Sequence, residues 1–492
     1  MKYKNWIGGN WVDAKSGRTF QSISPADNSD ILGEFPFSEK QDVNAAVEAA
    51  DKAFHDWSHI PSPRRGELLF AVGELLKGRK EELAKIMTRE MGKVLNEARG
   101  DVQEAIDMAY YVGGEGRRLL GYVTPSELPN KTCYAIRRPV GRVALITPWN
   151  FPIAVPSWKI FPALIAGNTI VWKPAQDTPR IAYEFSRVFE EAGIPKGVFN
   201  LLFGFGREAG QALVEHAKID MISFTGSVDV GRHIYEMGAK KINHVHLELG
   251  GKNPILVMED AGLELAADAI LWSAFGTTGQ RCTACSRLIV VESVHDPLIA
   301  ILVKKAKKLK LGNGLNADVE IGPVINKTQL KSIHDYVELG IKEGAKLEIG
   351  GKIATEGDLA KGTFYMPTIF TGVTPEMRIF QEEIFGPVLT VSKAKGYEHA
   401  IELANDTQFG LSSAIFTRNV YTAQRAIDDL EAGITYINYG TTGAEVHLPF
   451  GGVKNTGNGG REAGQAAIEQ YSEWKTVYID YSGHLQKAQG ID

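Results

Sequence analysis

Cysteine is scarce in this chain. Three residues in 492, Cys133, Cys282 and Cys285, cannot build a disulfide framework, which points to a reducing compartment and a cytoplasmic location. A second C-x-x-C pair and a histidine cluster are both missing, so the spacing of Cys282 and Cys285 does not complete a tetrahedral zinc site and no metal is expected. Charge of one sign is not in excess either. A formal net charge of -5 leaves no basic footprint for nucleic acid or for an anionic membrane. The opening MKYKNWIGGNW lacks the apolar core of a signal peptide, and no uninterrupted apolar run reaches membrane-spanning length. What remains, 44% hydrophobic and 23% charged residues, is the balance of a soluble globular protein. Its length suits roughly two to four domains.

Residues 1–40 mix Gly, Trp, Asp and Pro with short apolar runs, as turn-linked strands do. Helical spacing follows at Ala45, Ala46, Ala49, Ala50, Ala53 and Phe54, then at Leu68, Leu69, Val72, Leu75 and Leu76. From Glu81 to Leu120 the pattern stays helical and charged, interrupted by Gly113, Gly114 and Gly116. Between Tyr122 and Pro139 it turns extended, and a strand leaving the main body there is free to pair with another subunit. Cys133 lies in this stretch without an acid–base partner nearby and reads as structural.

From Gly141 strands and helices alternate: strands at 143–147, 169–173, 198–202 and 221–224, with helices at 152–166, at 180–192 and after Arg207. That rhythm implies βαβ units and a parallel sheet, whose ligands bind off the carboxyl ends of the strands, and a dinucleotide is the natural one. The segment GFGREAG at 204–210 has the wrong glycine spacing for a dinucleotide fingerprint and reads as a turn opening a helix. Gly226 and Ser227 follow a strand and open a helix, where free amides can hold phosphate. Lys173 and Gln176, at the end of the second strand, are placed for an adenosine ribose.

Two residues carry candidate chemistry. Glu248, in HLELGGK at 246–252, is either a salt-bridge partner or a general base whose proton affinity is raised by desolvation. Cys282, in GQRCTACS at 279–286, is by spacing alone either a nucleophile or, like Cys285, an ordinary half-buried cysteine. A thiol, a carboxylate and a dinucleotide sheet together suggest thiohemiacetal formation, hydride transfer and thioester hydrolysis.

Seven motifs occur in order: PWNFP at 148–152, KPA at 173–175, FTGS at 224–227, LELGGK at 247–252, GQRC at 279–282, EEIFGPV at 382–388 and PFGG at 449–452. With them the chain resembles the aldehyde dehydrogenase superfamily over nearly its whole length. The resemblance implies an α/β fold with a Rossmann-like cofactor domain at 1–120 and 140–248 and an α/β catalytic domain at 249–452. It also implies a small β oligomerisation element at 121–139 and 473–482, joining a homodimer or homotetramer, with Glu473 supporting the subunit interface. Residues 483–492 form a tail, either flexible or serving as a lid for a neighbouring subunit.

By the same resemblance Cys282 is the nucleophile, Asn150 and the Cys282 amide are the oxyanion donors, and Glu248 activates the deacylating water. A glutamate at 248 implies hydrolysis to a free acid. Glu462 serves in proton relay or in a salt bridge. Lys173 and Gln176 hold the adenosine ribose, Gly226 and Ser227 the pyrophosphate, and Glu383 the nicotinamide ribose, with Trp149 and Phe385 along the same cleft. A neutral Gln176 removes the repulsion that a glutamate would offer a 2′-phosphate, so the cofactor is NAD or NADP. Phe151, Trp158 and Phe450 match the aldehyde tunnel, although they also read as core aromatics. Glu104, Arg281, Gly443 and Ala444 match the set that holds an amino-carboxylate tail in the α-aminoadipic semialdehyde branch, and Arg281 is also placed to lower the thiol pKa. KPAQDTP looks more like α-ketoglutaric semialdehyde dehydrogenases. The leading expectation is a short semialdehyde of the α-aminoadipic type, with an α-ketoglutaric or broad-specificity enzyme as the alternative. A catalytically silent structural protein of the same fold is the competing class.

Overall fold

The computed structural model of the chain describes residues 1–489. Two seven-stranded sheets organise it. The first runs in the order His244–Glu248, Met221–Thr225, Arg142–Ile146, Thr169–Lys173, Phe199–Leu201, Asn5–Ile7 and Asn10–Val12. Its first five strands are parallel and the last two antiparallel. Thr169–Lys173 is buried at every residue, as a β-branched run in the middle of a sheet covered on both faces must be. One face packs against the helices Ser62–Gly78, Leu95–Glu115, Ala154–Ala166 and Pro179–Glu191. The other packs against Lys40–His59 and Val228–Ala239. Strand order reverses between Arg142–Ile146 and Met221–Thr225, and the loops leaving those two strands carry Trp149 with Asn150 and Gly226 with Ser227. Such a switch point leaves a crevice for a ligand.

The second sheet runs Lys346–Ile349, Thr368–Thr371, Val388–Ala394, Cys285–Val291, Asn253–Val257, Ser412–Phe416 and Ile434–Ile437, all parallel except the first pair. Separate apolar clusters cover its two faces. A third, antiparallel sheet joins Ser472–Asp480 to Lys131–Pro139 and Tyr122–Pro125, with Trp474 opposite Arg137.

Several boundaries differ from those expected. The charged helical region breaks first at Gly92, whose left-handed φ of 97° ends the helix Lys80–Met91, while Gly113 and Gly114 stay helical inside Leu95–Glu115. The helix expected from Pro152 starts at Ala154, whose amide donates to the buried Asp101 carboxylate at 2.7 Å. In the C-terminal tail, Gln486 donates to the Pro129 carbonyl and the Gln489 amide to Glu127, so these residues fold back on the 127–130 loop. Residues 490–492 of that tail lie outside the described residues.

Candidate functional site

Cys282 sits on the loop that leads into the strand Cys285–Val291, after a tight turn at Gly276–Gly279. That turn is strained: Thr277 and Thr278, both β-branched, have φ of 50° and 58°. Its surroundings over-determine it. The Thr277 amide donates to Glu97 at 2.7 Å, Thr278 Oγ1 to the Gly322 carbonyl at 3.0 Å, and Arg281 Nε to Thr277 Oγ1 at 2.9 Å. Backbone strain held this firmly fixes the residue that follows it. Asn253 Nδ2 then pins the Cys282 carbonyl at 2.7 Å. Cys282 is half-buried at the edge of a cavity of about 360 Å³. Burial, with Glu383 and Glu248 nearby, pushes its thiol up to about 12, so the resting sulfur is protonated and needs a base when it attacks.

Glu248 lines the same cavity. Burial and the neighbouring Glu462 raise its carboxyl well above the usual range, and neither oxygen has a hydrogen-bond partner among the described residues. Glu462, also on the cavity, is bound by the buried Lys159 ammonium, a salt bridge that leaves it within the site. Asn150 is buried beside the switch point, and its Oδ1 has no partner among the described residues. No protein acceptor takes its Nδ2 hydrogens among those residues either, so the amide is available to an oxyanion.

The far end of the cavity brings together the residues expected to read the substrate. Phe151, Trp158 and Phe450 form an aromatic wall, the last two with ring centroids 4.7 Å apart. Glu104, Arg281, Gly443 and Ala444 complete it. Arg281 does not serve the thiol: its guanidinium is turned to Glu97 at 2.9 Å and lies 4.6 Å over the Trp272 ring. Lys93 is paired with Asp101 at 2.8 Å and covers the Phe151 ring. Burial and Asp101 push Glu104 up to about 8, so it is a neutral acid at pH 7.

The residues expected to hold a dinucleotide stand on the loops that follow the strands Arg142–Ile146, Thr169–Lys173 and Met221–Thr225 and on the segment 383–385. Ser227 is the N-cap of Val228–Ala239 yet makes no capping bond with its side chain, leaving its hydroxyl and the first-turn amides free for phosphate. Lys173 is buried, donates to the Pro174 carbonyl at 2.8 Å, and is brought down by burial to about 8. Gln176 donates to Asp177 at 2.9 Å, which restores a carboxylate next to the neutral amide. Glu383, raised by burial to about 7, accepts from the Gly251 amide at 2.9 Å. Phe385, at φ 54°, sets its ring edge-on to Trp149 at 5.4 Å. These donors and the free helix terminus fit a pyrophosphate flanked by two riboses. Among the described residues no group of three or more His, Cys, Asp or Glu is arranged to hold a metal, and no helix is long and apolar enough to cross a membrane.

Sequence reasoning missed Lys159, His246, Glu97, Asp101 and Trp272. Lys159 had a signal, being the one charge in the apolar helix AVPSWKIFPALIA. His246 had another, because it stands two residues before Glu248 on a strand and so shares its face. Glu97 and Asp101 had none, since their helix is charged along much of its length.

A crevice at the switch point of the first sheet, and a thiol on the loop entering the central strand of the second, suit a cofactor-dependent oxidoreductase with a cysteine nucleophile. The sequence model of the aldehyde dehydrogenase family matches residues 11–477. The alpha-ketoglutarate semialdehyde dehydrogenase of Haloferax volcanii is 43% identical over 97% of this chain and 99% of its own length. The alpha-ketoglutaric semialdehyde dehydrogenase of Bacillus subtilis is 42% identical over 97% and 98%. Among solved structures, betaine aldehyde dehydrogenase from Staphylococcus aureus in complex with NAD+ superposes with a TM-score of 0.96 at 36% identity, covering 98% of this chain and 95% of that one. The chain belongs to the aldehyde dehydrogenase family, and its reaction is NAD(P)-dependent aldehyde oxidation. The names of these relatives back the α-ketoglutaric alternative better than the α-aminoadipic expectation drawn from Glu104, Arg281, Gly443 and Ala444.

Proposed function

We propose that the protein oxidises a short aldehyde with a carboxylate at its far end, of the α-ketoglutarate semialdehyde type, to the free acid, using NAD+. The observation that carries the substrate is the Arg281 guanidinium, fixed in the cavity wall by Glu97, Thr277 and Trp272, with its Nη1 donating to no protein acceptor among the described residues. Glu97 balances the Arg281 charge, Asp101 balances Lys93, and Glu104 is neutral. The far end therefore offers donors without fixed negative excess, which suits a carboxylate. An amine would have to ionise Glu104 first, and that explains how residues matching the aminoadipic set serve an acid instead.

In this reading the Cys282 thiol gives its proton to solvent in the cavity, Sγ attacks the aldehyde carbon, and the alkoxide that forms is held by Asn150 Nδ2 and the Cys282 amide. Preorganised donors of this kind contribute roughly 3–4 kcal/mol each in comparable sites. The cofactor, when bound, supplies the hydride acceptor. What remains on Cys282 is a thioester. Glu248 takes a proton from the water that attacks it, the thiolate leaves, and the acid is released. NAD+ rests on the cofactor held by the S. aureus enzyme.

Initial rates with NAD+ and NADP+ over α-ketoglutaric semialdehyde, α-aminoadipic semialdehyde, betaine aldehyde and propanal test this. The oxo-acid aldehyde with NAD+ is expected to give the highest kcat/KM. Arg281→Met should raise its KM on the order of 10- to 100-fold, the worth of a charge-assisted hydrogen bond, and leave propanal nearly unchanged. Equal losses on every aldehyde, or a preference for the amino acid aldehyde, would sink the substrate reading.

A further inference from the structure

Behind Glu248 lies a buried polar cluster whose hydrogen-bond count fixes more than its distances do. The strand His244–Glu248 runs parallel to Met221–Thr225 and sets His246 opposite Ser223. Ser223 Oγ accepts from Lys159 Nζ at 2.9 Å and from Tyr471 OH at 3.0 Å. A hydroxyl has two acceptor sites and one hydrogen to donate. Both acceptor sites are thus filled, and the hydrogen is left for His246 Nδ1, 3.5 Å away. Burial and the charges of Lys159 and Arg461 hold His246 neutral. A neutral ring that accepts at Nδ1 carries its hydrogen on Nε2.

That Nε2 has no partner among the described residues and stands 4.0 Å from Glu248 Oε1, which has none either. An unsatisfied buried donor faces an unsatisfied buried acceptor, an arrangement that native interiors rarely leave open. Rotation of the Glu248 side chain closes the gap. We propose that His246 is a positioning residue for the hydrolytic base, its Nε2–H receiving the ionised Glu248 carboxylate between turnovers.

The inference rests on Glu248 being that base. The groups facing the ring are Glu248 at Nε2, Glu462 at 3.6 Å from Nδ1, Lys159 and Tyr471 through Ser223, and Arg461. Gly460 closes over it so tightly that a Cβ there would lie 2.2 Å from His246 Cδ2, which fixes the plane of the ring. Lys159 neutralises Glu462, but no cation is bonded to Glu248. Burial and Glu462 both oppose its charge, and a carboxyl that stays protonated cannot take a proton from water. A donor at Nε2 favours the ionised form and brings the base back into its working range.

Single-turnover and steady-state NADH formation with the full-length protein separate the two layers. Glu248→Gln should keep a first-turnover burst and lose steady turnover. Steady turnover at the wild-type rate in that variant would end the base reading itself, whatever happens at position 246. His246→Phe keeps a ring under Gly460 but removes both nitrogens. It should keep the burst, which shows that the fold and cofactor groove are intact. Its steady rate should fall about tenfold, and the acid limb of the hydrolysis rate should move up by about one pH unit, because a carboxylate without its donor ionises less readily. His246→Gln restores an amide donor at the reach of Nε2 and should recover most of the rate and the position of the limb. His246→Asn places its amide nearer Ser223 and should not. Rates that follow side-chain volume instead, or an acid limb in the same place in the Phe and Gln variants, would overturn the proposal.

Discussion

Glu104 is an acid on the wall of the substrate cavity. Burial and Asp101 lift its pKa to about 8, so at pH 7 it meets a carboxylate tail as a hydrogen-bond donor, and above pH 8 as a like charge. The sign follows directly: an anionic tail binds the protonated form, so affinity for it is full below the raised pKa and is lost as pH rises through it. The ratio of kcat/KM for the oxo-acid aldehyde to that for propanal should be flat up to about pH 8 and then fall towards tenfold per unit. Taking the ratio cancels the titration of Cys282 and Glu248, which both substrates share. Glu104→Gln should abolish the fall, and a ratio that declines identically in that variant would put the titrating group elsewhere. Residues of this kind show where sequence is a good guide. Cys282, Glu248, Phe151, Arg281 and Phe450 sit in motifs, and the structure gathers them with Glu104, Trp158, Gly443 and Ala444 on one cavity. Lys159 and Glu462 lie 303 positions apart, and nothing local to either announces the other.

The element that controls the nucleophile is the turn from Gly276 to Gly279 with the loop after it. Gly279 has φ 68°, and a Cβ there would fall 2.1 Å from the Gly386 carbonyl oxygen. Two separate obstacles, a left-handed backbone and a collision with main chain that cannot swing aside, therefore bar any side chain. Gly279→Ala should displace Cys282 and lower kcat on the order of 100-fold, the cost of misplacing a reacting atom by about an ångström. NAD+ binding, followed by quenching of tryptophan fluorescence, should change far less, because the groove at Ser227 lies on other elements. A kcat within about twofold of wild type would show that the loop tolerates the shift. At this scale four of the seven strands of the first sheet, those at 143–147, 169–173, 198–202 and 221–224, were legible to within a residue or two, since a continuous apolar run such as TIVWK has few alternatives, whereas His244–Glu248 and the two N-terminal strands were given no bounds. The strained turn was not. Gly-Thr-Thr-Gly reads as a plain loop, and only packing against Glu97, Gly322 and Gly386 explains why two threonines accept left-handed angles.

Across the whole molecule the unsolved surface is the third sheet. Tyr122–Pro125 and Ser472–Asp480 are both edge strands, so unpaired backbone groups remain on each side. Tyr122, Val123, Tyr478 and Ile479 are exposed on it, Val123 by 83%, and the Trp474 ring is held between Tyr122 and the Arg137 guanidinium. A monomer that left this apolar area and both edges in water would invite aggregation. We expect a second copy of the chain to cover them. Light scattering during gel filtration should give a mass at least twice that of the 53.8 kDa chain. Val123→Glu with Tyr478→Glu should shift it towards the single chain by placing charges where apolar area would otherwise be buried. Because the third sheet forms no part of the cavity wall, the dissociated protein should keep its first-turnover NADH burst. A wild-type protein that elutes as a monomer would mean that the exposed sheet answers to some other surface.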